Sequence, residues 1–291
     1  MDVLYFNGRF TTTDEPVIRV EDRGYQFGDA IYEVIKFLNG RLLFTDDHFR
    51  RMSNGLAEIE IPNPWTEDTF RVMTDELLRR TEFRSGIVYV QVTRGVSERV
   101  HFYPPDLEPV ALAYTRRYGF PDAAKKERGI STITAPDSRW KYCNVKSVNL
   151  LPNVLAKRQA QRAGVEEALL VRDQEVKEGA STSFFAVRDG RLITHPADCS
   201  ILPGTVRDHV ISLALEGRIR VDERPVLENE LFSIDEAFVT STTLGVMPVS
   251  EIDGRIIGNS RRGEVTGKIQ ELFDQLEEKS VSAEAAQPAT S

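Results

Sequence analysis

Two Asn-Gly pairs, Asn7-Gly8 and Asn39-Gly40, constrain the N-terminal region more than any other feature of the sequence. Each lies between strand-like runs, Val3 to Phe6 with Arg9 to Thr13, and Ile31 to Leu38 with Arg41 to Phe44. A tight primed turn needs positive φ at both central residues, which Asn and Gly tolerate best, so two β-hairpins are expected. Helical spacing follows. Thr45 or Asp46 stands where a cap belongs, ahead of Phe49, Met52 and Leu56, and Thr66 stands ahead of Phe70, Met73 and Leu77. Strand patterns return at Ile87 to Thr93 and Val110 to Tyr114, so the first half reads as helices on an antiparallel sheet.

Around Tyr118 to Lys126 the apolar pattern breaks at Gly119, Pro121 and a charged cluster, which reads as a linker. Beyond it a helix from about Asn153 to Ala163 stops at Gly164, with Pro152 suited to its first turn. Strands are expected at Ala168 to Val171, Ser183 to Val187, Arg191 to Thr194 and Ala237 to Ser241. A helix follows Pro203-Gly204-Thr205, and a last one carries Val265, Ile269, Leu272, Phe273 and Leu276 on one stripe. Residues 279–291 are polar and rich in Ala and Ser, and read as a disordered tail.

A net charge of −8 argues against a nucleic-acid binder, and no apolar run reaches the ~20 residues that span a bilayer. No signal-peptide pattern opens the sequence, and two cysteines suggest no disulfide framework, so a soluble enzyme of the reducing cytoplasm is expected. Dinucleotide-binding, Walker and serine-hydrolase motifs are missing, and the four histidines and two cysteines lack metal-ligand spacing, so no metal is expected.

Lys146 stands in the mostly uncharged run Tyr142-Cys-Asn-Val-Lys-Ser-Val-Asn-Leu-Leu151, where a lysine can point inward. An inward amine loses hydration, which disfavours its charged form and leaves it a nucleophile for an aldehyde. Most lysines are solvated surface charges, and Lys141 and Lys157 compete nearby, so local sequence gives Lys146 only a small preference.

The ordered blocks Lys146-Ser-Val-Asn-Leu-Leu-Pro-Asn-Val154, Glu178-Gly-Ala-Ser-Thr-Ser183, Leu202-Pro-Gly-Thr205 and Thr240-Ser-Thr-Thr243 resemble the fold-type IV pyridoxal-phosphate enzymes. These comprise D-amino acid transaminases, branched-chain transaminases and aminodeoxychorismate lyases. The resemblance runs from Tyr5-Phe-Asn-Gly-Arg9 to Met247-Pro-Val-Ser-Glu-Ile-Asp-Gly254. It implies an α+β fold of two domains. A small N-terminal α/β domain on an antiparallel sheet spans 1–118 and a linker spans 119–127. A larger, β-barrel-like C-terminal α/β domain that binds the cofactor spans 128–278.

The resemblance also implies roles. Lys146 holds pyridoxal 5′-phosphate as a Schiff base and later shuttles a proton. Glu178 faces the pyridine nitrogen and keeps it protonated, although out of context it reads as an exposed acid before Gly179. Gly204, Thr205 and Val206 at a helix start, Ser241, Thr242 and Thr243, and the cation of Arg51 hold the phosphate, while Leu202 packs on the ring. Arg99 and His101, two residues apart, and Tyr32 resemble the carboxylate trap of D-amino acid transaminases, with Val34 also at the substrate site. In that family the Arg-x-His loop reaches the neighbouring subunit, so a homodimer is implied. Tyr103 departs from the phenylalanine common there. The reading is a ping-pong transfer of an amino group from a D-amino acid to a 2-oxo acid. Its rivals are a branched-chain L-amino acid or (R)-amine transaminase, an aminodeoxychorismate-type lyase and a non-catalytic cofactor binder.

Overall fold

A computed structural model describes residues 3–15 and 17–283, which fall into two compact units. Among the described residues, one takes those up to Gly119, Val145–Asn149 and 279–283, and the other takes Phe120–Asn144 and Leu150–Glu278.

The first unit is built on strands β1 (Val3–Phe6), β2 (Arg9–Thr12), β3 (Ala30–Leu38), β4 (Arg41–Leu42), β5 (Gly86–Thr93) and β6 (Val110–Arg117), with helices α1 (Arg23–Phe27), α2 (Thr45–Glu58) and α3 (Glu67–Arg79). Its sheet is antiparallel in the order β2-β1-β6-β5-β3-β4. Both Asn-Gly turns form, with φ of 43° and 86° at Asn7 and Gly8, and 54° and 78° at Asn39 and Gly40. Along β5 the alternate residues Val88, Val90 and Val92 are buried and meet Met52, Leu56, Phe70 and Leu77 of α2 and α3 in one core. Thr66 caps α3 in a reciprocal box with Thr69.

The expected strand Arg41 to Phe44 ends at Leu42, and neither Thr45 nor Asp46 caps α2. Leu43 N still donates to Lys36 O at 2.9 Å, so the chain must turn abruptly at Phe44, which takes the cap position at φ 57°. Asp46 and Asp47 supply negative charge to the first turn instead.

The second unit runs α4 (Ala123–Arg128), β7 (Ile130–Pro136), α5 (Leu151–Ala163), β8 (Glu167–Arg172), β9 (Glu175–Gly179), β10 (Ser183–Arg188), β11 (Arg191–Thr194), α6 (Thr205–Glu216), β12 (Val221–Glu223), β13 (Val226–Leu227), β14 (Glu236–Ser241), β15 (Gly245–Ile252), β16 (Arg255–Ile256) and α7 (Glu264–Ala283) as far as Glu278. A curled mixed sheet orders these as β12-β11-β10-β14-β15-β7-β8-β9-β13, with β16 on β15. β7 is parallel to both β8 and β15. Ala156 and Ala160 of α5 sit against Ala135, Ala168 and Leu170, small residues that let helix and sheet approach closely.

Three expectations need adjusting. The stretch read as a linker holds α4, capped by Asp122 through Lys125 N. Residues Val145–Asn149 group with the first unit. The stretch read as a tail is helical as far as Ala283, and 284–291 lie outside the described residues.

Candidate active site

In the first unit the segment around Lys146 extends the sheet. β4 covers only the far end of β3, so the near end has a free edge, and residues 146–148 take it. Tyr32 N donates to Lys146 O at 3.0 Å, Val148 N donates to Ala30 O at 3.2 Å, and Ile31 bridges Ser147. Opposite residues of an antiparallel pair project to one face, which puts the lysine beside Tyr32. Lys146 is half-buried, and its Nζ lies 4.3 Å from the centroid of the Tyr32 ring. Asn149 secures the segment, its Nδ2 donating to Gly28 O at 3.0 Å. Tyr32 stacks on Tyr89 and Tyr89 on Tyr114, so a column of rings backs the lysine. Burial, reinforced by the two flanking tyrosines, pushes the Tyr89 hydroxyl well above the usual phenol range. Of its competitors, Lys157 donates to Glu166 O at 2.6 Å and lies 3.3 Å from Glu167 Oε1, and Lys141 is exposed.

Strand alternation sends Tyr32 and Val34 to one face of β3 and Glu33 to the other. Glu33 is fully buried and grips Arg51 at two points, accepting from Nε at 2.7 Å and Nη2 at 2.8 Å. His48 Nδ1 lies 2.8 Å from the same carboxylate. Burial alone would raise the Glu33 carboxyl, but the Arg51 charge and hydrogen bonds, with His48, hold it well below the usual range. Burial also lowers His48, helped by the Arg51 and Lys146 charges and only partly opposed by Glu33, so the ring is neutral and donates from Nδ1. Arg51 is therefore a cation in a fixed pose. Glu33 escapes a motif search, although one acid inside the otherwise apolar Ala30-Ile-Tyr-Glu-Val-Ile35 was the signal for it.

Arg99 and His101 lie in the loop from β5 to β6, which is irregular there. They still converge, since the Arg99 guanidinium is 5.2 Å and the His101 ring 5.7 Å from the Phe27 ring. Arg23 braces the loop from α1, donating to Val100 O at 2.8 Å and His101 O at 3.2 Å. Among the described residues no hydrogen bond or ring contact joins the pair to Tyr32. The hydroxyl of Tyr103 has its own use: it donates to Glu60 Oε2 at 3.1 Å, and the ring lies 3.7 Å from the Arg94 guanidinium carbon.

In the second unit Glu178 is buried on β9, not exposed in a turn. Leu202 N donates to its Oε1 at 3.1 Å, and Arg139 Nη1 donates to the same oxygen. Burial pushes this carboxyl up to about 7, against the Arg139 charge and hydrogen bond. Leu202 itself is half-buried.

Helix α6 starts at Gly204 with no side-chain cap, leaving its first-turn amides to an outside acceptor. A Cβ at Gly204 would come within 2.7 Å of Ser183 Oγ, so only glycine leaves this approach open. Ser183 is the cross-strand partner of Thr240, after which Ser241, Thr242 and Thr243 turn the chain toward β15. Ser241 Oγ accepts from Leu244 N at 3.1 Å, and Thr240 Oγ1 is buried with no hydrogen-bond partner. Uncapped amides beside clustered hydroxyls suit a doubly charged phosphate. A buried carboxylate whose two protein donors both meet Oε1 leaves Oε2 for a protonated ring nitrogen. The residues present thus fit pyridoxal phosphate. No group of His, Cys, Asp and Glu among the described residues is arranged to hold a metal ion.

Known proteins match this chain along most of its length. Residues 30–252 match the profile of the family described as amino-transferase class IV. The D-alanine aminotransferase of Bacillus licheniformis is 42% identical over 270 residues, covering 93% of this chain and 95% of that protein. The branched-chain amino acid aminotransferase of Escherichia coli is similar in structure, with a TM-score of 0.88 at 25% identity, covering 95% of this chain and 94% of that one. The T.th. branched-chain amino acid aminotransferase complexed with N-(5′-phosphopyridoxyl)-L-glutamate gives a TM-score of 0.86 at 24% identity, covering 97% of this chain and 96% of that one.

Proposed function

Because this chain belongs to the amino-transferase class IV family, we propose that it transfers the amino group of a D-amino acid, D-alanine among them, to a 2-oxo acid such as 2-oxoglutarate or pyruvate. The geometric observation that carries the reading is Lys146, pinned by main-chain bonds to β3 with its amine at the Tyr32 ring. The D-configuration rests on the identity to D-alanine aminotransferase, since the branched-chain enzymes share the fold at much lower identity.

When bound, pyridoxal phosphate supplies a carbonyl carbon that takes up the amino group and a cationic ring that draws electrons from the substrate Cα. The rest falls to side chains. Lys146 Nζ would hold the cofactor, and the same amine would take the proton from the substrate Cα and later return one. Glu178 Oε2 would accept a hydrogen bond from the protonated ring nitrogen and keep it charged. Arg51, kept in place by Glu33, binds the phosphate together with the first amides of α6 at Gly204, Thr205 and Val206 and the hydroxyls of Ser241, Thr242 and Thr243. Leu202 covers the ring. Tyr32, Arg99 and His101 bind the substrate carboxylate, with Val34 beside them, and the Arg99 loop serves the neighbouring subunit of a homodimer. Donor and acceptor use one site in turn, which gives ping-pong kinetics. A reducing, cytoplasmic setting suits the two free cysteines, Cys143 and Cys199.

The test mixes purified holoenzyme with one amino donor at a time, with and without 2-oxoglutarate. D-Alanine should yield one pyruvate per site without acceptor and steady turnover with it, while L-leucine and (R)-phenylethylamine should yield little. Comparable turnover of L-leucine would overturn the D-specific reading, and continuous pyruvate release from aminodeoxychorismate without any acceptor would favour the lyase.

A further inference from the structure

Glu178 shares its guanidinium with a second carboxylate. Arg139 stands just after β7, its side chain 8% exposed. Its Nε and Nη2 grip Asp137 at 2.9 and 3.0 Å, and Nη2 also reaches Ser200 O at 3.2 Å. The remaining arm, Nη1, donates to Glu178 Oε1, the oxygen that Leu202 N also meets. Among the described residues no hydrogen bond reaches Glu178 Oε2. The Asp137 side chain is fully buried and lies 3.4 Å from Arg172 Nη2, so Arg139 is anchored from behind by a fixed negative charge. A planar fork can hold two carboxylates at once and in fixed directions, which a lysine ammonium cannot.

The charged groups around this carboxyl act in opposite senses. Burial pushes Glu178 up, and the negative charge of Asp137 adds to that, while Arg139 and the Leu202 amide oppose it. Asp137 itself stays below the usual carboxylate range, because the bonds and charge of Arg139, with Arg172, outweigh burial. Burial raises the nearby Cys143 thiol, which therefore stays neutral. Arg139 is the cation that hydrogen-bonds Glu178 directly.

We infer that Arg139 is a positioning residue for the transamination, keeping Glu178 ionised and turned so that Oε2 faces the cofactor ring nitrogen. This rests on the reading of Glu178 given under the proposed function. It adds that the carboxylate at that nitrogen is set by a residue that does not itself touch the cofactor.

Two probes separate this role from simple structural support: pyridoxal phosphate, and its carbon analogue with CH in place of the ring nitrogen. Each is titrated into the apo forms of the wild type, Glu178→Gln, Arg139→Met and Arg139→Lys. Arg139→Met should weaken pyridoxal phosphate roughly ten- to a hundredfold, the range for losing a charge-assisted hydrogen bond, and leave the analogue nearly unchanged. Arg139→Lys should recover part of that loss, and the Glu178 carboxyl, followed by its 13C resonance, should titrate higher in Arg139→Met than in the wild type. Equal weakening of both probes would reduce Arg139 to a structural clasp and overturn the inference, as would no weakening at all. If Arg139→Met does not fold, the same comparison on Arg139→Lys decides. If Glu178→Gln fails to discriminate between the probes, the cofactor reading of Glu178 falls and takes this one with it. If Glu178→Gln discriminates and the Arg139 variants do not, only the part given to Arg139 falls.

Discussion

The buried carboxyl of Glu178 ties the stability of the apoprotein to pH. Its folded value of about 7 lies above the ordinary 4.5, so the folded state binds the extra proton between those values. The contribution is full below about 4.5 and is lost as pH rises through about 7, up to roughly 3 kcal/mol at ~1.4 kcal/mol per unit. Urea unfolding of apoprotein at several pH values should show this decline, and Glu178→Gln should flatten it. An unchanged slope in that variant would remove Glu178 as its source. Glu33 has the opposite sign, because its folded value is depressed and its stabilisation is lost as pH falls through the acid range. Replacing Glu33 by Gln removes the carboxylate that grips Arg51 at two points, which should cost about 3–5 kcal/mol and weaken binding of inorganic phosphate to apoprotein. Urea melts and a phosphate titration check both, and an unaltered phosphate affinity would deny Glu33 any part in setting Arg51. The sequence singles out Lys146 through the ordered motifs around it, and its role stays part of the proposal. Glu33 and Arg139 were not legible there, since Arg51 lies 18 positions from the one and Glu178 lies 39 positions from the other, and neither pairing carries a local pattern.

Among the elements, the short run that carries Lys146 depends on a turn far from it in sequence. Gly28 closes α1 at φ 68°, and a Cβ there would stand 2.1 Å from Asn149 Oδ1. Gly28→Ala should therefore add to the ~1–2 kcal/mol of left-handed strain a displacement of Asn149, and with it of residues 146–148. Gly164 is the control, at φ 74° with nothing within 4 Å of a Cβ, so Gly164→Ala carries strain alone. Borohydride fixation of pyridoxal phosphate on Lys146 should slow in Gly28→Ala and not in Gly164→Ala. Equal rates would show that the Asn149 contact does not hold the lysine. The two hairpins were readable because Asn-Gly encodes its own dihedral angles. β9 was not, because Lys177 and Glu178 look solvated until Arg139, Glu175 and His195 are seen to meet them. The start of α2 was misread for a related reason: a β-ladder bond from Leu43 forces Phe44 into a conformation that no cap rule anticipates.

For the whole molecule, the proposed homodimer makes a claim that no single-chain measurement can test, namely that Arg99 completes the site of the other subunit. The structure holds Arg99 and His101 together at Phe27, and no hydrogen bond or ring contact among the described residues links them to Tyr32 of the same chain. Lys146→Ala and Arg99→Ala homodimers should each be nearly inactive with D-alanine, the first through loss of the amine and the second through loss of a carboxylate contact. Unfolding the two together and refolding them produces hybrids. In a hybrid one site takes Lys146 from the Arg99→Ala chain and Arg99 from the Lys146→Ala chain, and so is intact. With random pairing about half the dimers are hybrids with one good site in two, so activity should return to roughly a quarter of the wild type. If Arg99 serves its own subunit, no hybrid contains an intact site and the mixture stays as inactive as its parents. Sedimentation of the refolded mixture separates that outcome from a failure to pair, because only dimers that form and remain inactive would argue against a shared site.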